Sequence, residues 1–111
     1  MKESMQLREN GVTTVLVRAR RLLARPYGWT KQEKRRKTRG KVAYCALGAI
    51  EQATARMPKS RRDGAELAAI HELSCAVPGL HLISDWNDDP LTRKADVLNI
   101  FDAAIRESRR P

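Results

Sequence analysis

The chain of 111 residues has few aromatic residues and no long apolar run. Its five aromatic side chains are Tyr27, Trp29, Tyr44, Trp86 and Phe101, so the core has to be aliphatic, and small apolar side chains in periodic runs favour packed helices. No stretch approaches the ~20 apolar residues that span a bilayer. The first residues, MKESMQLRENG, also lack the apolar segment of a secretory signal. We therefore expect a cytoplasmic protein without membrane contact.

Cysteine is also scarce, with Cys45 and Cys75 as the two thiols. Both fall inside helical patterns, where a reduced thiol acts as a small buried hydrophobe, so a disulfide is not implied. A chain of this length has room for one domain with a modest core and none for a second.

Acidic residues are scarce in the first part of the chain. Residues 1–41 carry thirteen Lys and Arg against three Asp and Glu, a net of +10, whereas residues 42–111 carry nine against ten. The densest part is Trp29 to Lys41, with seven basic residues and one acid, Glu33. Such asymmetry indicates a surface for nucleic acid, an anionic membrane or an acidic protein partner.

Apolar periodicity predicts an all-α fold, a single small domain of about four helices covering residues 1–111. Each helix shows apolar positions at i, i+3, i+4 and i+7. Residues 1–10 are expected to form a flexible arm, and residues 107–111 a frayed tail. The first two expected helices are Thr13 to Ala24 and Ala43 to Arg56. The third is capped by Ser60, in a capping box with Asp63, and ends at Pro78-Gly79. The fourth is capped by Thr92, and Asp89-Pro90 is a second possible start for it.

Two local structures fit the basic excursion at residues 29–41, between the first two helices. The segment KQEKRRK consists of good helix formers and could continue from a Thr30 cap. Alternatively, Arg39-Gly40 could turn a short hairpin that ends in KVAY. Local propensity does not choose between them. Gly48, inside the second helix, predicts that another helix or a large ring approaches the backbone there.

The basic residues predict a surface that contacts phosphates, because cations that neutralise phosphates release counterions. Trp29 or Tyr27 could stack on an unpaired base, or Trp29 could instead anchor the core. The third helix is net acidic, which is wrong for a recognition helix, so sequence specificity should be weak. The candidate nucleic-acid-binding residues are Arg18, Arg21, Arg25, Lys31, Lys34, Arg35, Arg36, Lys37, Arg39 and Lys41.

The thiols and histidines offer two chemical alternatives. Cys45, His71, Cys75 and His81 could form a tetrahedral zinc site. A Cys/His catalytic pair could be drawn from the same residues, with Asp85 or Asp88 orienting His71. No C-x-x-C knuckle, nucleophile elbow or set of oxyanion-hole glycines supports either, so no cofactor is expected.

The acidic group of Asp85, Asp88 and Asp89 could hold a hard cation through its oxygens, although its spacing is not that of an EF-hand loop. The structural alternative is favoured. It places Asp88 or Asp89 near the positive N-terminus of the last helix, lets Asn87 shape the turn and buries Trp86 in the core.

Three segments, ARRLLARPYGW, YCALGAIEQA and ISDWNDDPLTRKADVLNIFDAAI, together resemble a family of small bacterial and phage proteins known only as a domain of unknown function. The matching positions are Trp29, Cys45, Gly48, Trp86, Asn87 and Asp88. The resemblance implies an accessory product of a phage or mobile element and carries no activity with it.

We expect a small non-enzymatic accessory protein that contacts the nucleic-acid backbone through its basic face. The alternative is a phage-type inhibitor or adaptor that binds a host protein. A zinc-binding module is the third hypothesis.

Overall fold

The structure, a computed structural model, describes residues 11–79 and 81–111, so the predicted arm at residues 1–10 lies outside it. The described residues form five helices and one two-stranded antiparallel sheet. The fold is therefore mostly helical, and the all-α prediction needs correction. The elements are α1 (Gly11–Ala24), β1 (Arg35–Thr38), β2 (Lys41–Tyr44), α2 (Ala46–Thr54), α3 (Lys59–Ala76), α4 (Ile83–Asp88) and α5 (Lys94–Ser108).

Helix α1 lies at the centre of the core, against α2, α3 and α5. Its apolar face buries Leu16, Ala19 and Leu23 completely, as its 3.6-residue period predicts. Opposite them, Phe101 of α5 is the largest fully buried side chain in the described residues, and most of the core is Leu, Ile, Val and Ala. The predicted aliphatic core is confirmed.

Strands β1 and β2 form a hairpin in which Arg35 pairs with Tyr44 and Thr38 with Lys41. Its two-residue turn has φ of 52° at Arg39 and 81° at Gly40. Two positive φ values are typical of a type I′ turn, whose twist matches that of the flanking strands. Of the two structures left open for this segment, the hairpin is confirmed and the short helix is wrong.

Helix α2 begins at Ala46, three residues later than predicted, because residues 42–44 belong to β2. Its N-cap is Cys45, whose Sγ accepts a hydrogen bond from the Gly48 amide. A Cβ on Gly48 would lie 2.0 Å from the carbonyl oxygen of Lys34. The predicted close approach at Gly48 is confirmed, but the approaching group is the backbone beside β1 and not a helix or a ring.

Helix α3 follows α2 after a short corner, with Pro58 as N-cap. Ser60 lies inside the helix, so the predicted capping box with Asp63 is wrong; no side chain makes an N-cap hydrogen bond here. The Arg62 guanidinium holds the corner by donating to the carbonyl oxygens of Ala55 and Met57.

Residues 83–88, between the third and fourth predicted helices, form the short helix α4, which the apolar pattern did not predict. Helix α5 starts after Arg93 as N-cap, and Thr92, its predicted cap, is buried instead. The helix also includes Glu107 and Ser108, which were assigned to a frayed tail. Within residues 11–79 and 81–111, no helix is long and apolar enough to cross a bilayer.

Candidate functional site

A cavity of about 750 Å³ lies between α1, the end of α2 and the start of α3. Five arginines line it, and we call it the arginine groove: Arg18, Arg21, Arg25, Arg56 and Arg61. Arg18 and Arg21 lie on α1 and Arg25 directly follows it, and their i, i+3 and i+7 spacing is that of one helix face. All five side chains are exposed.

No Asp or Glu lines the arginine groove among the described residues. Its apolar lining includes Val15 and Leu22 of α1, Ala53 of α2, and Met57 at the corner. Among the described residues, five arginines and no carboxylate therefore line a common space with an apolar floor. This combination suits an anion that also carries an apolar surface.

The hairpin supplies a second group of cations. All four residues of β1 are exposed. Because side chains alternate along a strand and paired residues share a face, Arg35 and Lys37 lie on one face of the hairpin, with Arg36 and Lys41 on the other. The hairpin thus presents positive charge on both faces.

Three of the ten predicted binding residues already use their side chains in a hydrogen bond or an ion pair. Lys31 is half-buried, donates to the Asp89 carbonyl oxygen at 2.7 Å and lies over the Trp29 ring, with Nζ 5.4 Å from its centroid. These contacts make Lys31 a structural residue more than a contact residue. The second residue, Arg36, forms an ion pair with Glu33.

The third, Lys34, donates to Glu51 of α2 at 2.8 Å. This hydrogen bond and the charge of Glu51 raise the pKa of Lys34 above its usual value. The pair is exposed to solvent, and exposed pairs contribute little to stability. A phosphate could therefore compete with Glu51 for Lys34.

The hairpin and the arginine groove adjoin each other across α2. A small cavity of about 140 Å³ is lined by Lys34, Arg35, Glu51 and Gln52, among others, and Gln52 also lines the arginine groove. We call the arginine groove and the hairpin together the basic face.

The two aromatic residues beside the hairpin have different roles. Trp29 is half-buried against the core, forms a parallel bridge with Tyr44 and donates from Nε1 to Asn87 at 2.9 Å. It is therefore an anchor, which decides between the two roles left open. Tyr27 is 40% exposed, with the Lys41 ammonium 5.5 Å from its ring centroid.

Asn87 is fully buried and connects three parts of the chain. Its Oδ1 accepts from Trp29 and, at 3.0 Å, from the Ala46 amide at the start of α2. Its Nδ2 donates to the Thr30 carbonyl oxygen and to Asp88. Asn87 was predicted to shape the turn; in the structure it lies in α4, and its side chain fixes the base of the basic face.

The acidic residues are placed differently from the prediction. The Asp88 carboxylate accepts from the Gln32 amide at 2.7 Å, and that of Asp89 accepts from the Leu91 amide. The acid in the first turn of α5 is instead Asp96. Trp86, which was predicted to be buried in the core, packs against the core but is only half-buried.

The four candidate zinc ligands do not come together. Cys45 is buried at the start of α2, while Cys75 is exposed, with its Sγ 3.8 Å from the Nε2 of His71. In the part of the chain that the structure describes, no group of three or more His, Cys, Asp and Glu side chains could hold a metal ion. No hydrogen bond joins His71 to Asp85 or Asp88 there, so the orienting group proposed for a Cys/His pair is not in place.

Arg56 and Arg61 were missed by the sequence prediction. They lie on either side of Pro58, in the corner between α2 and α3, and their local pattern carries no sign of a shared site. The available signal was the absence of an acid from residues 52–62.

The chain belongs to a family of unknown function, DUF6197, whose model matches residues 8–107. Searches of curated proteins and of solved structures found no match.

Proposed function

We propose that this member of the DUF6197 family is a small non-enzymatic accessory protein of phage or mobile-element type that acts in the cytoplasm and binds the nucleic-acid backbone through the basic face. The observation that supports the proposal is the arginine groove, which five arginines and no carboxylate line among the described residues, and which adjoins a hairpin with further cations.

The unpaired cations of the basic face would supply the binding energy. Among the predicted residues, Arg35, Lys37 and Arg39 are exposed, and in the described chain no ion pair involves them. Arginine binds phosphate through a planar fork of donors, so its contacts are directional as well as electrostatic. Backbone contacts of this kind carry little sequence information.

Salt dependence tests the proposal directly. With about five phosphates neutralised on a duplex, the slope of log K against log salt is about −4.5, and affinity falls by roughly 10² to 10³ between 50 and 200 mM salt. Lys37→Gln with Arg39→Gln should make the slope shallower by about 1.8. The matched control is Arg106→Gln with Arg110→Gln at the end of α5 and just beyond it, which removes the same charge from residues outside the lining of the groove and outside the hairpin and should leave the slope unchanged.

Absence of binding at low salt would refute backbone binding through the basic face, and equal slopes for the two double variants would refute phosphate contact by the hairpin. An acidic host protein is the other partner class that fits a basic surface. A stoichiometric protein that is retained from host lysate after nuclease treatment, and lost with the Lys37/Arg39 variant, would replace nucleic acid as the partner.

A further inference from the structure

We infer that the arginine groove holds an unpaired nucleotide of a single strand, with its phosphate among the arginines and its base against the apolar floor. This inference rests on the proposed function and names the form of nucleic acid that the site selects. A nucleotide is an anion with a flat, largely apolar ring, which matches the two kinds of lining.

The phosphate end of the site is formed at the corner between α2 and α3. Arg56 and Arg61 lie on either side of Pro58, and all three residues line the groove. No side chain caps the N-terminus of α3, and no acid lies in its first turn. The positive end of this helix dipole therefore adds to the field of the arginines and favours an anion there.

The base end is formed by Leu22 and Met57, which are half-buried and face the groove. A Met thioether makes favourable contacts with aromatic rings, and a guanidinium plane can stack on a base. In a duplex the bases are stacked and paired inside the helix, so only an unstacked nucleotide could reach this floor. The cavity, at about 750 Å³, is within the range of sites that enclose small ligands.

The test compares a single strand of about 12 nucleotides with the duplex that it forms with its complement, by fluorescence anisotropy at one salt concentration. We expect the wild-type protein to bind the single strand about 5- to 10-fold more tightly, equivalent to the lower end of the energy of one stacked base. Met57→Ser leaves the charge unchanged and should reduce this preference to about 2-fold or less, with the duplex affinity unaltered. The matched control is Leu91→Ser, at a leucine that is 87% exposed outside the groove.

A second variant tests the site even if Met57→Ser disturbs the corner between α2 and α3. Arg61→Gln should make the single-strand salt slope shallower by about 0.7, whereas Arg106→Gln should not change it. Far-ultraviolet circular dichroism checks that each variant is folded.

The outcomes separate the inference from the proposed function. If the wild-type protein binds both nucleic acids equally, or if Met57→Ser retains the preference, the nucleotide site is refuted and backbone binding stands. If the wild-type protein binds neither at low salt, both are refuted.

Discussion

Replacement of Asn87 by Ala tests the anchoring of the basic face to the helical core. The side chain is fully buried and makes four hydrogen bonds. Removing it leaves the Ala46 amide, the Trp29 indole N–H and the Thr30 carbonyl oxygen without their partner. A buried polar group left unsatisfied costs about 1–3 kcal/mol, and some of these groups would recover a bond to water. We therefore expect the free energy of unfolding to fall by about 3–5 kcal/mol, a large part of the 5–15 kcal/mol typical of a domain.

Urea denaturation followed by circular dichroism measures this loss, with Trp fluorescence as a second probe of the surroundings of Trp29. The matched control is Asn99→Ala on α5, because Asn99 is exposed and such a change should alter stability by no more than about 0.5 kcal/mol. A loss below about 1 kcal/mol for Asn87→Ala would show that the network does not hold the hairpin base, and the reasoning from burial and hydrogen bonding would be refuted.

Two further substitutions test the contact between α2 and the hairpin. Gly48→Ala would bring a Cβ to 2.0 Å from the Lys34 carbonyl oxygen. We therefore expect the free energy of unfolding, measured by urea denaturation, to fall by about 1–3 kcal/mol. Its control is Gly64→Ala, which has open space at its Cβ and should instead stabilise α3 by up to about 1 kcal/mol. Glu51→Gln releases Lys34 from its ion pair and should steepen the duplex salt slope by about 0.9. The control, Glu107→Gln, removes the same charge from α5 and should not change the slope. If the Glu51→Gln and Glu107→Gln variants have equal salt slopes, Lys34 does not contact phosphate.

The helices could be predicted where one apolar stripe determines a whole element. Leu16, Ala19 and Leu23 repeat with the period of a helix, and burial of that stripe is what the structure shows. The bounds were less accurate at α2 and α5, because Cys45 and Arg93, which are not preferred cap residues, occupy the N-cap positions. The start of α2 follows from the end of β2, whereas at α5 the Asp96 carboxylate accepts from the Arg93 amide within the first turn.

The hairpin could not be chosen from local preference, because KQEKRRK favours a helix as strongly as Arg39-Gly40 favours a turn. Contacts distant in sequence favour the strand. The Lys34 carbonyl oxygen accepts from the Cys45 amide and packs against Gly48, and a helix through residues 31–37 would lose that contact.

The candidate site was predictable only in part. The i, i+3 and i+7 spacing of Arg18, Arg21 and Arg25 follows one helix face through the end of α1, and the structure brings the three residues together at the arginine groove. Arg56 and Arg61 join them only because the α2–α3 corner folds beside α1, which no local pattern reports.

Strand β2 leads directly into α2, and this limits where residues can be inserted or deleted. Cys45 is the single residue between the two elements. One added residue there would rotate α2 by about 100° relative to the hairpin, moving Gly48 away from the Lys34 carbonyl oxygen. At the Arg39-Gly40 tip, a Cβ on Gly40 would meet no atom within 4 Å. Insertions and deletions should therefore accumulate at the tip of the hairpin, while the spacing from Tyr44 to Gly48 stays fixed.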